Sequence, residues 1–589
     1  MKFPKLRQTR QSVQTQSVFG GYNHNPRIGD GEFYDMRNLS SDSYPLLAPR
    51  KVRGVEPVTE AAQGQIYGIA VNNGLCYVKG SSFVLPDGSV VEMGLSQGEK
   101  KLVAMGAYVI ILPDKKWINT VNGGEYGDIE WEYQASRVSL WVCRRDGSPI
   151  VFVSGTDRPI TPSGGSYWID DTGDTPVLKK WDSESGLWIE ETSYLRLRLE
   201  GSHKFKKGDA LLGPEIRTEF EAPAGLKRFL CIPKDPVVLD VIDGDLIVNG
   251  FSGYGLLVNS CTAQVDIHWQ RRMPDMDFVI ESGNRLWGCK FGQTENGFVN
   301  ELYASALGDF TNWSRFQGIS TDSYRASVGA DGPFTGAVNY LGRPLFFKES
   351  CMLRVFGDQP SGFRIQDTPC QGVQKGCAGS LAVVNNMLFY KAWSGVYGYD
   401  GSLPAPVGAA LGDRPCRTAV AGGIGRKYYL SMEEEAGRQL YVYDTGRGLW
   451  HREDDPGTLA FATGENSLYC LPETRDRILL MTGGGQPAED TVAWMAQTGP
   501  LGLTDPETKY ISRLLLRLTV EPEAVVRVSV RYDRSPRWEH LYTLRGSQLR
   551  SFTLPIRPKR CDHMYLRLEG MGGMQVYSLT RIWEEGGDL

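Results

Sequence analysis

The sequence predicts an all-β protein: a β-propeller of about six to eight blades, with an inserted β-domain and a C-terminal β-sandwich. Three observations predict it. Apolar and polar residues alternate with period two in many short runs, while helical periodicity is almost absent. One strand–turn–strand form returns at steps of blade length. Glycine is in excess, at 69 of 589 residues, beside 14 Trp, 27 Tyr and 22 Phe. No G-X-Y period and no low-complexity tract accounts for that glycine, so it reads as tight turns between aromatic-rich strands. Gly342, Gly395, Gly425 and Gly464 fall at such turns, where a positive φ is expected.

The recurring form is an apolar strand, a turn with Gly or Asn, and an aromatic-rich strand. It reads IYGIAVNNGLCYV from Ile66, KLVAMGAYVIIL from Lys101 and DFVIESGNRLWGC from Asp277. It continues as FTGAVNYLGRPLFF from Phe334, GSLAVVNNMLFY from Gly379, RTAVAGGIGRKYYL from Arg417 and TLAFATGENSLYCL from Thr458. The last five starts are separated by 57, 45, 38 and 41 residues, the length of a multi-stranded propeller unit. An Asp before a Trp recurs at Asp309/Trp313, Asp444/Trp450, Asp182/Trp188 and Asp533/Trp538. The carboxylate can cap the turn backbone while the returning Trp packs on a neighbouring sheet. YVYDTGRGLW from Tyr441 looks like the outer hairpin of a kelch-type blade. The Ser-x-Asp-x-Gly-x-x-Trp order of a sialidase Asp-box is not met.

Two stretches leave the pattern. Residues 128–236 lose the period but hold strands of their own (VSLWVC, SYLRLRLEG, KGDALL), which suits a β-domain inserted within one blade. After Tyr510 the strands LLLRLTVEPEAVVRVSVRYD, WEHLYTL, SFTLPI, MYLRLEG and QVYSLTRIW read as a small sandwich. The expected organisation is a basic arm at 1–16 and first blades at 17–127. The insert at 128–236, the remaining blades at 237–505 and the C-terminal sandwich at 506–589 complete it.

Net charge is −5 and unevenly placed. Lys2, Lys5, Arg7 and Arg10 have no acid beside them in 1–16, residues 509–589 carry 14 Lys/Arg against 9 Asp/Glu, and 17–508 hold −14. An acidic body is a poor general nucleic-acid binder, because phosphate affinity needs a dense basic surface. It suits a wall past which DNA slides, or ends that dock on acidic partners. Met1–Gln16 has no apolar signal region, and no apolar run reaches the length of a spanning helix. The 11 cysteines, scattered from Cys76 to Cys561, suit reduced thiols in a protein made in the cytoplasm. Cys370 and Cys377 are the one close pair in sequence, without a CxxC partner or a nearby His, and read as buried thiols.

Catalysis finds little footing. His24, His203, His268, His451, His540 and His563 show no metal spacing, and no G-x-S-x-G, H-E-x-x-H or Walker A motif occurs. GGIGRK from Gly422 reads as a hairpin turn. WHREDD (Trp450 to Asp455) is the densest polar cluster: His451, Glu453, Asp454 and Asp455 could supply an acid and a base in a pocket, but read as a solvated turn. Asp170, Asp171 and Asp174, and Asp243 with Asp245, could hold calcium but lack the D-x-D-x-D-G order and read as turns. Glu433, Glu434 and Glu435 read as an exposed hairpin tip. No catalytic, cofactor-binding or metal residue is assigned, no cofactor is expected, and the chain is expected not to be an enzyme.

SVFGGYNHNPRIGDGEFYDMRNLSSDSYPLLAPRKVRG (Ser17 to Gly54) resembles the opening of virion proteins of tailed phages and prophages. NELYASALGDFTNW (Asn300 to Trp313), followed by FTGA and PLFFKE, is similar to their central blades. PIRPKRCDHMYLRLEG (Pro555 to Gly570) and the final YSLTRIWEEGGDL are similar to their C-terminal module. The resemblance touches the N-terminus, about 275–470 and the last 80 residues, and not the insert. It implies a tail protein most similar to the propeller-bearing nozzle or hub proteins of short-tailed phages. That means a ring homo-oligomer, a hexamer in the family, below the portal and adaptor, which guides or gates DNA ejection. Implied partners are the chain itself, portal–adaptor proteins, tail fibres or tip, and passing double-stranded DNA, without a membrane span. The implied location is the virion tail, assembled in the bacterial cytoplasm. An acidic bore would keep DNA mobile. Two other classes stay open. A propeller glycan hydrolase or depolymerase needs two carboxylates about 5–10 Å apart near the axis. A non-catalytic receptor- or glycan-binding tail-tip protein needs a rim of aromatics.

Overall fold

Each of the seven recurring runs opens a small antiparallel sheet. The computed structural model describes residues 11–170, 172–173, 177–221, 227–250, 260–295, 297–503, 509–557 and 559–585. Their regular elements are strands and short 3-10 turns. Six four-stranded meanders span 66–92, 101–128, 278–327, 336–369, 382–406 and 419–453, taken here as blades 1 to 6. Their first strands (Ile66–Val71, Lys101–Met105, Phe278–Glu281, Gly336–Tyr340, Ala382–Val384, Ala419–Ile424) adjoin in order around an axis. Between blades 4 and 5 the junction is made by the Ala378–Ser380 turn. Blade 7 begins at Thr458–Thr463, which touches the first strands of both blade 6 and blade 1, so the ring is closed at seven.

Blade 7 is built from both ends of the chain. Thr458–Thr463, Leu468–Pro472 and Ile478–Leu480 are followed by Gly54–Glu56, which pairs antiparallel to Ile478–Leu480 with Leu479 opposite Val55. Closure of this kind packs together the sheet faces that an open array would leave exposed at blades 1 and 7, where Ile66, Tyr77, Leu471 and Ile478 share one core. Near the axis the blades converge, and side-chain size decides how closely. A Cβ on Gly422 would stand 2.6 Å from the Phe461 Cβ, and one on Gly423 would stand 2.3 Å from a Val384 methyl. Glycine in this strand is thus a packing requirement. At the turns, Gly342, Gly395 and Gly425 do take a positive φ, whereas Gly464 is not among the positive-φ residues.

The insert differs from expectation at its far boundary. Its main sheet orders Val238–Ile242, Asp245–Asn249, Tyr194–Leu199, Trp131–Cys143 and Ser260–Arg271, so it extends to Arg271 and not to 236. It lies between blade 2 and blade 3, not within a blade. Val238–Ile242 and Asp245–Asn249 alternate as a blade hairpin would, but Arg196 opposite Ile247 and Leu197 opposite Leu246 tie them to the insert. A second sheet, Phe152–Gly155, Tyr167–Asp170, Val177–Asp182 and Leu187–Glu190, packs through Phe152, Tyr167, Ile169 and Leu178 on the same core.

The C-terminal strands form a layer around Lys509–Tyr532, 24 residues long. Glu539–Pro555 pairs along one side; Met574–Glu585 and then Met564–Met571 pair along the other. Leu514, Leu516, Leu518, Val526, Val528 and Val530 turn inward into one core, as period-two alternation requires. This layer is not confined to 506–589. Ala493–Thr498, Glu32–Arg37 and Gly21–Tyr22 extend it on one edge and Gln11–Gln16 on the other. Within 17–49, Gly21–Tyr22 and Glu32–Arg37 therefore join this layer, Leu39–Ser40 and Ala48–Pro49 pair with each other beside blade 6, and none of these strands builds the first blades. Of the expected basic arm, residues 1–10 lie outside the described residues. No helix among the described residues is long and apolar enough to cross a membrane.

Candidate functional site

WHREDD lies at the end of the last strand of blade 6, Leu449–Glu453, under the N-terminal segment that runs to the closing strand. It is not a solvated turn. Trp450, His451 and Glu453 are buried, because the segment 38–53 covers them. Arg50, itself buried, reaches three carboxylates: Glu489 at 2.5 Å, Asp454 at 2.9 Å and Glu453 at 3.6 Å. Arg53 donates to Glu453 at 3.0 Å and to the Asp454 carbonyl at 2.7 Å. Asn38 Oδ1 accepts from both Arg50 Nε and the Asp454 N–H. Asp455 accepts from the backbone N–H of Gly457 and Thr458 and from Ser431 Oγ, fixing the turn into blade 7. Buried charges survive only when paired and hydrogen-bonded, and this hub pairs them between segments about 400 residues apart, with Arg53 Nε left without an acceptor among the described residues.

Beside the hub is a cavity of about 400 Å3, lined among others by Asp42, Arg50, Lys51, Arg426, Lys427 and Tyr429. Lys427 Nζ reaches Asp42 at 2.7 Å and Ser40 Oγ at 2.9 Å. Burial pushes the Asp42 carboxyl up, but the Lys427 contact outweighs it and holds the group below its usual range. At Asp454 burial is likewise outweighed, by Arg53 and Arg50. Arg50 is held firmly charged, since Glu489, Glu453 and Asp454 more than offset its burial. Burial raises the Tyr429 hydroxyl above its ordinary value. Carboxylates pushed down are poor general acids, whose task needs a raised pKa. Asp209 is raised, by burial first, but it is 1% exposed and bonded to Arg271 at 3.0 Å, closed to a polymeric substrate.

His451 is held neutral. Burial, with Lys427 nearby, lowers its pKa from 6.5 to about 4. The unfolded chain then takes up a proton that the folded chain refuses. Stability is expected to be level above pH 6.5 and to fall toward pH 4, by about 3 kcal/mol at most from this group. Urea midpoints across that range should show the drop, and His451→Gln should flatten it.

The other candidates are dispersed. His24 stacks on Tyr34, with ring centroids 4.2 Å apart. His203 bonds the Gly244 carbonyl, His268 faces Glu132, His540 contacts Thr543 and His563 contacts Asp562. No group of three His, Cys, Asp or Glu that could hold a metal forms among the described residues. Asp170 accepts from the Thr172 N–H and hydroxyl and pairs with Lys179 at 2.6 Å; Asp171 and Asp174 lie outside the described residues. Asp245 is more than a turn residue: at 2% exposure it bridges Arg196 and Arg198 at 2.7 and 2.9 Å, while Asp243 sits at the turn with φ 53°. Glu433 and Glu434 are not a free tip. They accept from the Thr418 and Tyr441 hydroxyls and pair with Arg438 and Arg414, leaving Glu435 exposed. GGIGRK is a hairpin, with Ile424 opposite Lys427 across Gly425 and Arg426.

Of the Asp–Trp turns, Asp309 accepts from the Thr311 N–H, Asp444 from the Gly446 N–H and Asp182 from the Ser185 N–H, as expected. Asp444 also binds Ser41 and Arg426 and is fully buried. Trp450 donates to the Val407 carbonyl ahead of blade 6. Asp533 instead caps a second turn, at Asp562 and His563. Cys370 and Cys377 do not pair; the Cys377 sulfur faces Cys416 at 3.9 Å.

Sequence reasoning missed a face. On the outer side of the C-terminal layer stand Arg513, Arg517, Arg527, Arg531 and Arg567, at positions alternate to the core residues. Glu569 stands opposite Arg527 across the ladder, yet none of these five arginines makes an ion pair among the described residues. Arg567 and Arg531 flank the Trp538 ring at 4.0 and 5.1 Å, and Arg531 also lies 4.1 Å from the Tyr565 centroid. Such stacking orients a guanidinium while leaving donors free, although Arg567 spends one on Gln497 Oε1 at 2.8 Å. The signal was in the i, i+4 spacing of Arg513/Arg517 and Arg527/Arg531 along one strand.

No protein-family model and no curated protein matches the sequence. Solved structures resemble it weakly. An exo-beta-1,3-galactanase from Phanerochaete chrysosporium is 8% identical, with 51% of this chain and 94% of that chain covered and a TM-score of 0.20. The extracellular domain of a hybrid two-component system from B. thetaiotaomicron is 9% identical over 95% of this chain and 99% of that chain, with a TM-score of 0.25. Trypanosoma rangeli sialidase is 9% identical over 85% and 93%, with a TM-score of 0.17. At these scores the likeness carries no statement about activity, and the all-β propeller architecture stands on the strand pairing itself.

Proposed function

We propose that this chain is a structural subunit of a phage or prophage tail, which assembles as a ring around the path of the DNA as a nozzle or hub. The observation that carries the reading is the arginine face, presented by a chain whose residues 17–508 sum to −14. Guanidiniums that form no ion pair among the described residues, held on a rigid sheet, are suited to an acidic surface, and the acidic body of a neighbouring copy supplies one. A face and a complement at different places on one molecule give head-to-tail contacts, which close into a ring when the rotation allows. The resemblance of Ser17 to Gly54 to tail-protein openings points the same way. So does the use of that segment as a strap across the Arg50 hub, which makes the propeller and the C-terminal layer one scaffold.

The test is light scattering behind size exclusion, with negative-stain imaging. In about 0.1 M salt the protein should form a ring with a central channel, and near 1 M salt, where screening is about threefold shorter in range, it should dissociate. Arg517→Glu with Arg527→Glu should weaken assembly by about tenfold or more, because like charges then meet across the contact. A monomer at all salts that releases reducing sugar from a polysaccharide would instead establish the glycan-hydrolase alternative.

A further inference from the structure

The entry loops of blades 5 and 6 bring two cysteines together. Cys377 precedes the Ala378–Ser380 turn into blade 5, and Cys416 precedes Ala419–Ile424 of blade 6, one repeat later in the chain. Their sulfurs are 3.9 Å apart, with Cys377 fully buried and Cys416 8% exposed. The surroundings hold the pair in place. Gln374 Nε2 donates to the Cys416 carbonyl at 2.7 Å, and its Oε1 accepts from Lys391 Nζ at 3.1 Å. Lys391, itself 2% exposed, acts electrostatically on both thiols. The other described cysteines show no sulfur–sulfur contact of this kind.

We propose that Cys377 and Cys416 are a dithiol site that closes to an intramolecular disulfide in response to hydrogen peroxide, linking blade 5 to blade 6. The two thiols share one hydrogen bond in which either sulfur can donate, and Lys391 favours the thiolate form at both. Cys416 is 8% exposed and Cys377 fully buried, so peroxide reaches Cys416, which makes it the attacking group and Cys377 the resolving group. The Cys416 thiolate attacks one peroxide oxygen, the O–O bond breaks, hydroxide leaves, and Cys416 becomes a sulfenic acid. The Cys377 sulfur then attacks the Cys416 sulfur, the S–O bond breaks, and the departing oxygen leaves as water with the Cys377 proton. Two electrons pass from the two sulfurs to one peroxide. Peroxide is uncharged and close to water in size, which suits a sulfur only 8% exposed. A bond of about 2.05 Å needs the sulfurs to approach by roughly 2 Å, within reach of a side-chain rotation where the backbones are suitably placed.

The experiment uses the purified full chain. Thiols are counted in denaturant before and after sub-millimolar peroxide, and a non-reducing digest is read by mass spectrometry. The count should fall from 11 to about nine, with a Cys377–Cys416 peptide pair lighter by two hydrogens and restored by dithiothreitol. Cys377→Ala removes the resolving thiol, so Cys416 should then be trapped as a sulfenic acid by dimedone. A thiol count that stays at 11, or a link formed between other cysteines, overturns the proposal. Should the variant not fold, the wild-type digest decides alone. The outcome is independent of whether the protein forms a ring.

Discussion

Arg50→Met should destabilise the protein by about 3 kcal/mol in urea melts, near the low end of what breaking a buried ion pair costs. The side chain is 4% exposed and serves Glu453, Asp454 and Glu489 together. Among the described residues, its loss leaves Glu489 with only the Arg53 backbone N–H and Glu453 dependent on the Arg53 side chain alone. Two facts hold the figure down: Asp454 is 45% and Glu489 27% exposed, so water screens part of the loss. Pairing Arg50→Met with Glu489→Gln should cost less than the sum of the single changes, because one residue no longer waits for the other. The pH dependence has a definite sign. Asp454 is depressed in the folded chain, so its contribution is present above the ordinary carboxylate range and is lost as pH falls through the lowered value. Arg50→Met should therefore narrow the stability gap between neutral and acid pH.

Gly54→Val should cost about 3 kcal/mol or more and open the ring at blade 7. A Cβ at this position would stand 1.8 Å from the Gly484 carbonyl oxygen and 3.2 Å from the Leu480 Cβ. The nearest obstacle is backbone, so no rotamer relieves it. Gly54 pairs with Leu480 on one side and Pro487 on the other, and displacing it removes the strand that completes blade 7. The measurement is the urea midpoint, together with hydrogen exchange over 466–480, where amide protection should fall first. Unchanged protection there would show that closure does not depend on the strand.

What the sequence made legible was local. All seven starts read from the repeat lie within five residues of an innermost strand, because alternation and turn chemistry are written in adjacent residues. What it hid was distant pairing. Gly54–Glu56 carries no mark of belonging beside Ile478–Leu480, and Ser260–Arg271 alternates as well for a propeller as for the insert. The candidate site failed for the same reason. WHREDD looks solvated because its neutralising charges, Arg50 and Arg53, are about 400 residues earlier. Sequence proximity sets Cys377 beside Cys370, whereas the propeller sets it against Cys416 in the next loop.

Closure by the two ends also imposes an order on biosynthesis. The strand Gly54–Glu56 leaves the ribosome about 420 residues before its partner Ile478–Leu480, and Gln11–Gln16 waits longer for Met574–Glu585. At about 5–20 residues per second, the earlier edge stands open for roughly 20–80 s. Every translation product that stops short of the last repeat keeps that edge unpaired and lacks the arginine face. Chains that stop earlier are thereby distinguishable by structure alone from those that reach Met574–Glu585, since only the latter carry both the paired edge and the arginine face.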